Sequence, residues 1–175
     1  MDKAEFLKWS RKYEKDQALW AQTEQELGAR FRRTKLLTSE DLALVVGWKF
    51  KDQDSKRAKI LEAVAKNDQD TICRLSNQAF SIVGAEDAYR VNSLCMLNGV
   101  SPVLASIILA FFDPRNYCVF DLSVWRALLG NEPPNLCTAQ NYLTLLASLR
   151  KVASKHNLNA RTVEKALFKK AHDKS

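Results

Sequence analysis

Residues 94–109 read LCMLNGVSPVLASIIL, and the punctuation in their middle decides how the chain around them folds. Two apolar runs with helical spacing meet at Asn98-Gly99-Val100, and Gly99 is one of five glycines in 175 residues. Ser101 is a favoured N-cap. Pro102 falls at the first helical position, where its missing N–H is harmless and its fixed φ suits the helix. The stretch predicts a helix, a tight turn, and a second helix that starts at once and runs through Leu104, Ile107, Ile108 and Phe111 to Asp113-Pro114. Glycine lets the backbone turn sharply and approach another molecule closely. The second helix then presents unpaired N–H groups at its positive dipole end, a natural seat for a phosphate. An ordinary antiparallel helix pair would use the same glycine.

Working outward, the punctuation stays helical and strand alternation is missing. Residues 3–28, with Phe6, Trp9, Tyr13, Trp20 and Leu27 among charges, predict one long amphipathic helix ended by Gly28. Thr38-Ser-Glu-Asp41 has capping-box form ahead of Leu42, Val45, Val46 and Trp48. Further helices are expected over Ser55–Lys66, Asp70–Phe80 and Glu86–Leu97. Asp121 caps one ending near Gly130, Thr138 caps the next, and Asn159 caps the last, Arg161–His172. A rigid loop is expected at Glu132-Pro133-Pro134. The fold class is all-α, a compact single domain over 1–175 with eight or nine helices. It divides into an N-terminal amphipathic helix and basic segment (1–37), a core (38–130) and basic C-terminal helices (138–175).

The net charge is +7, and residues 138–175 hold eight Lys/Arg against Glu164 and Asp173, so +6 of it falls in the last fifth. Arg30-Phe-Arg-Arg-Thr-Lys35 forms a second cluster. Such asymmetry suits a polyanion, and a solvated helix surface would look the same. No run approaches the roughly 20 apolar residues of a membrane span. The charged start at Met1 predicts no secretory signal and a cytosolic address, or a nuclear one in a eukaryote. The four cysteines (Cys73, Cys95, Cys118 and Cys137) lack metal-ligand spacing and are expected as reduced core thiols; His156 and His172 are expected at the surface.

Leu94, Leu97, Gly99, Val100 and Ala105, followed by an aspartate before an arginine-bearing helix in VFDLSVWRALL (119–129), resemble the helix-hairpin-helix superfamily of base-excision DNA glycosylases. The endonuclease III-like core is the nearest pattern. Gly99 and Asp121 are 22 residues apart, the separation such proteins show between hairpin glycine and catalytic aspartate. The resemblance implies that Gly99, Val100 and Ser101 offer main-chain groups to a phosphate of lesion-bearing double-stranded DNA, bound by a monomer. It implies that carbonyls of Cys95, Leu97 and Val100 can hold a monovalent cation, and that Asp121 is the catalytic carboxylate. It also sets Val45–Lys51 loosely against the lesion, with Lys49, Lys51 and Arg126 as DNA contacts and Trp48, Tyr117 and Trp125 as candidates for the base pocket. By local pattern alone Trp48, which continues an apolar helix face, reads first as core and Asp121 as a plain N-cap, while Arg126 reads either as a backbone anchor or as a surface ion-pair partner.

Two departures shape the expected chemistry. Bifunctional members carry a lysine where this chain has Val103, so base removal without strand nicking is expected, unless Lys49 or Lys51 supplies an amine. Ser101 replaces a second hairpin glycine and can cap the helix instead. The cysteines lack the compact spacing of an iron–sulfur cluster, and no cofactor beyond the cation is expected. The expected activity is hydrolysis of the N-glycosidic bond of a damaged, mismatched or modified base. The alternatives are a DNA-binding module without catalysis, or a helical protein-interaction domain.

Overall fold

A computed structural model describes residues 1–132 and 138–173. Pro133-Pro134, Cys137 and Lys174 therefore lie outside the described residues. Those residues form ten helices and no strand: α1 (Lys3–Asp16), α2 (Ala18–Thr34), α3 (Ser39–Lys49), α4 (Asp54–Val64), α5 (Gln69–Ser81), α6 (Asp87–Cys95), α7 (Pro102–Phe112), α8 (Leu122–Leu129), α9 (Ala139–His156) and α10 (Ala160–His172). Among the described residues no helix is long and apolar enough to cross a membrane.

The apolar run after Gly99 builds the centre. Helix α7 is apolar on every face and buried from Leu104 to Phe111, as a helix without a polar side must be. It contacts α2, α3, α6 and α9. Ser101 caps it and Pro102 begins it. Thr38 and Asp41 form the capping box of α3, and Thr138 caps α9. Asn159 stands at the N-cap of α10 without a capping hydrogen bond from its side chain.

The single helix expected over 3–28 is two helices. Helical continuity breaks at Gln17, whose N–H donates to Tyr13 O at 3.0 Å, and nothing in the local sequence forces this. The cause is tertiary: α1 lies along α10 whereas α2 lies along α7, and one straight helix cannot follow both. Nor does Gly28 end a helix. It sits inside α2, where a Cβ would lie 2.4 Å from Phe111 O, so it marks the contact between α2 and the end of α7. Arg32, one turn on, donates to Phe111 O at 2.9 Å and Phe112 O at 3.2 Å, capping α7 from outside.

Much of the C-terminal positive charge faces inward. Arg161, 3% exposed, pairs with Glu24 and Glu164, and Lys165 pairs with Glu14 and Glu24. Lys169 meets Asp16 and Asp173, and Arg150 meets Asp87. In the second cluster Arg30 pairs with Asp41, and Lys35 lies over the Phe112 ring at 4.5 Å. These cations fasten α10 to α1 and α2, α9 to α6, and α2 to α3 and α7. The expectation of two free polyanion-facing clusters is corrected to that extent; Lys151, Lys155 and Lys170 stand outside the pairs.

Candidate functional site

An extended, buried segment from Tyr117 to Phe120 delivers Asp121 to the surface of the core. With no partner strand, its backbone polar groups are satisfied by side chains from neighbouring helices, as burial requires. Val119 N–H donates to Glu164 Oε2 at 3.3 Å and Phe120 N–H to Ser106 Oγ at 2.9 Å. Tyr142 donates to Cys118 O at 3.1 Å, and Arg150 Nε to Asn116 O at 2.7 Å. Three helices, α7, α9 and α10, thus fix the residues leading into Asp121.

Asp121 then caps α8. Its Oδ1 accepts from Ser123 N at 2.9 Å and Ser123 Oγ at 2.5 Å, while Oδ2 lies 3.6 Å from Lys49 Nζ. The two side chains are 19% and 23% exposed, shielded yet reachable. Burial pushes the Asp121 carboxyl upward, but the Lys49 ammonium and the Ser123 hydrogen bonds outweigh it, with a smaller contribution from His172. The carboxyl is held below the ordinary aspartate range.

Asp121 and Lys49 border a cavity of about 250 Å³. Aromatic walls come from Tyr13, Trp20, Trp48 and Phe168, with Gln17 and Lys51 on the same lining. Ligand pockets usually run from roughly 300 to 1,000 Å³, so this one suits a single planar ring system better than a large ligand. Trp48 is both wall and core: its edge meets Phe111, with ring centroids 5.1 Å apart, and its Nε1 donates to Trp20 O at 3.1 Å. Lys51 donates to Gln17 Oε1 at 2.5 Å and sits 5.2 Å from the centroid of Trp20. Arg161 and Glu164, bound to each other and to Glu24 and Val119, also line the cavity, as does the exposed Asp52. Burial raises the Glu164 carboxyl despite Arg161; for Glu24 burial acts the same way but Arg161 and Lys165 prevail, lowering it.

Two base-pocket candidates lie elsewhere. Tyr117 is buried against α6 and α9: its hydroxyl donates to Asp87 at 2.7 Å and Arg150 stacks over its ring, while burial and that acceptor push the phenol far up. Trp125 packs on Phe120 with its Nε1 on Asn131. Both are near Asp121 in sequence and belong to the core. Tyr13, Gln17, Trp20 and Phe168 were missed, because the bend at Gln17 and the docking of α10 are what bring them together. Arg126 is exposed and pairs with Glu132 at 2.5 Å.

The Gly99 turn is braced by protein. Its φ is +77°, and a Cβ would lie 2.9 Å from Ala63 Cβ and 3.1 Å from Val64 N, so α4 closes against it. Asn67 clamps the preceding residue, accepting from Asn98 N at 2.8 Å and donating to Asn98 O at 3.0 Å. Val100 N–H donates to Leu97 O at 3.1 Å, so one of the three carbonyls assigned to a cation already accepts a hydrogen bond that closes the turn. Among the described residues no cluster of His, Cys, Asp and Glu could hold a metal ion.

A second groove, about 510 Å³ and more apolar, runs between α1, α8, α9 and α10 past Phe6, Leu128, Val152 and Leu167, rimmed by Lys155 and Lys170. It presents no carboxylate. No protein-family model, curated protein or solved structure matches this chain.

Proposed function

We propose that the chain is a helix-hairpin-helix DNA glycosylase that hydrolyses the N-glycosidic bond of an altered base. One observation carries the reading. Asp121, 22 residues beyond the Gly99 turn, is an ionised carboxylate on the wall of an aromatic-lined cavity sized for a base. The base leaves the duplex stack, at a cost of a few kcal/mol that is least for damaged or mispaired bases. It enters between the rings of the cavity. As the glycosidic bond breaks, its electron pair leaves with the base and positive charge builds on the sugar. Asp121, fixed by Ser123, stabilises that charge and orients a water whose oxygen bonds to the anomeric carbon. The water's proton passes to the carboxylate and then to solvent. Lys49 keeps Asp121 ionised.

Ser101 and the start of α7 would take a phosphate, with Lys49, Lys51 and Arg126 as further DNA contacts. Val103 supports hydrolysis without strand nicking. The apolar groove favours a second reading, a protein-interaction surface, which does not call on Asp121. A panel of duplexes, each with one lesion or mismatch, tests the first. The expected result is an alkali-sensitive abasic site at one member without spontaneous nicking, and no base release from any duplex overturns it.

A further inference from the structure

The groove past Phe6, Leu128, Val152 and Leu167 gathers the C-terminal cations that the fold leaves unpaired. Arg150, Arg161, Lys165 and Lys169 each face a carboxylate, whereas Lys151, Lys155 and Lys170 have none among the described residues. Lys155 comes to the groove from α9 and Lys170 from α10, and Lys151 lies one turn before Lys155 on the same face of α9. No carboxylate lines the groove. The acids that flank its lining residues in the chain are engaged elsewhere: Asp2 and Glu5 in the capping box of α1, Glu132 with Arg126, Glu164 with Arg161, and Asp173 with Lys12 and Lys169. We infer that this groove docks an acidic amphipathic helix of a partner protein. The inference rests on the interaction-surface reading of the groove. It does not rest on the glycosylase chemistry, because the groove shares no lining residue with the Asp121 cavity.

Floor and rim together select this occupant. A bare polyanion gains nothing from an apolar floor, and its phosphates would lose water against it. A helix with apolar residues at i, i+3 or i+4 and i+7 does gain by covering such a floor. Ala127 and Ala171 are exposed on the lining, and their small side chains let a helix backbone come close. The charge pattern fits a helix better than a single anionic head group. Lys170 sits on α10, whereas Lys151 and Lys155 follow each other along α9, about 6 Å of helix rise apart, so positive charge is spread along the rim instead of being focused on one point. Acidic residues on both edges of the docked helix's apolar stripe meet these ammoniums, which are exposed on flexible stems. A second copy of this chain, +7 overall, would bring like charge to the same rim.

The test is fluorescence anisotropy of three labelled helical peptides with the full chain at near-physiological salt, each peptide about 16 residues long, or roughly four turns. All three carry leucine at i, i+3, i+4 and i+7, and the residues flanking that stripe are glutamate in one, glutamine in the second and lysine in the third. The glutamate peptide is expected to bind about tenfold tighter than its glutamine twin, the sum of modest contributions from exposed ion pairs, and the lysine twin should bind most weakly. Lys155→Glu with Lys170→Glu should invert that order, and Leu128→Gln should weaken all three. Melting curves establish that each variant is folded. Plain duplex DNA or dodecanoate should leave bound peptide in place. Equal affinities for the three peptides, an order unmoved by the lysine variant, displacement by either competitor, or a self-association that Leu128→Gln abolishes overturns the inference. The failures are separable. Peptides that bind alike but are all weakened by Leu128→Gln leave the interaction surface standing without its acidic preference, whereas binding by no peptide, or binding indifferent to Leu128→Gln, sinks the surface itself.

Discussion

Replacing Gly99 with alanine probes why the turn after α6 is built from glycine. Two penalties are expected. The φ of +77° is left-handed, which costs an L-residue with a side chain about 1–2 kcal/mol. The new methyl would also lie 2.9 Å from Ala63 Cβ, 3.0 Å from Val64 Cγ1 and 3.1 Å from Val64 N. Val64 N belongs to helical backbone, and α4 cannot withdraw without opening the Asn67–Asn98 pair, so overpacking adds about 1–3 kcal/mol. In a domain of this size each kcal/mol lowers Tm by about 2–4 °C, which puts the fall at roughly 4–20 °C. Gly130 is the internal control, because its φ is +73° but nothing lies within 4 Å of the place a Cβ would take. Gly130→Ala should show the strain alone, about 2–8 °C. Thermal unfolding of both variants at one pH is the assay. Equal falls would refute packing against α4 as the reason for glycine at 99.

Gly28→Ala should destabilise at least as much without any φ penalty, since its Cβ would meet the Phe111 carbonyl at 2.4 Å; a wild-type melting curve would refute the α2–α7 contact. Arg161→Leu leaves Glu164 buried without its cation and Glu24 with Lys165 alone, and breaking such a buried pair costs about 3–5 kcal/mol. The carboxyls then titrate higher in the folded chain than in the unfolded one, so the deficit should shrink as pH falls and grow as it rises; denaturant unfolding at two pH values reads this. Lys49→Met removes the charge that offsets burial at Asp121. The wild type, whose Asp121 is depressed, should keep base release down to pH values below the free aspartate range, about 3.9, and the variant should lose it at higher pH. Borohydride is expected to trap no adduct with the wild type, and an adduct abolished by Lys49→Met would identify that lysine as an attacking amine.

What the sequence made legible was local. Ser101, Asp121, Thr38 and Thr138 announce their helices because a cap is a matter of one side chain and the next turn. Gln17 announces nothing, because its bend answers to α10 and α7, far away in the chain. Gly28 looks like a stop signal and is a contact point instead. The basic C-terminus shows the same limit: composition counts the charges of Arg161, Lys165 and Lys169 but cannot place Glu24, Glu14 and Asp16 beside them. At the cavity, Asp121 is named by its spacing from Gly99, and Trp48, Lys49 and Lys51 only by a loose family resemblance over Val45–Lys51. Trp20 and Phe168 wait on long-range packing, and Tyr117 and Trp125 show that nearness along the chain to Asp121 is not nearness in the cavity.

The central claim is that Asp121 is a working carboxylate as well as a helix cap, and single-turnover base release by Asp121→Asn tests it most directly. Asparagine keeps an oxygen to accept from Ser123, so the variant should fold and bind duplex like the wild type. Base release from the preferred substrate should fall by about 100-fold or more, the scale of losing one preorganised electrostatic group. Release at the wild-type rate from a folded, DNA-binding Asp121→Asn protein would contradict the account.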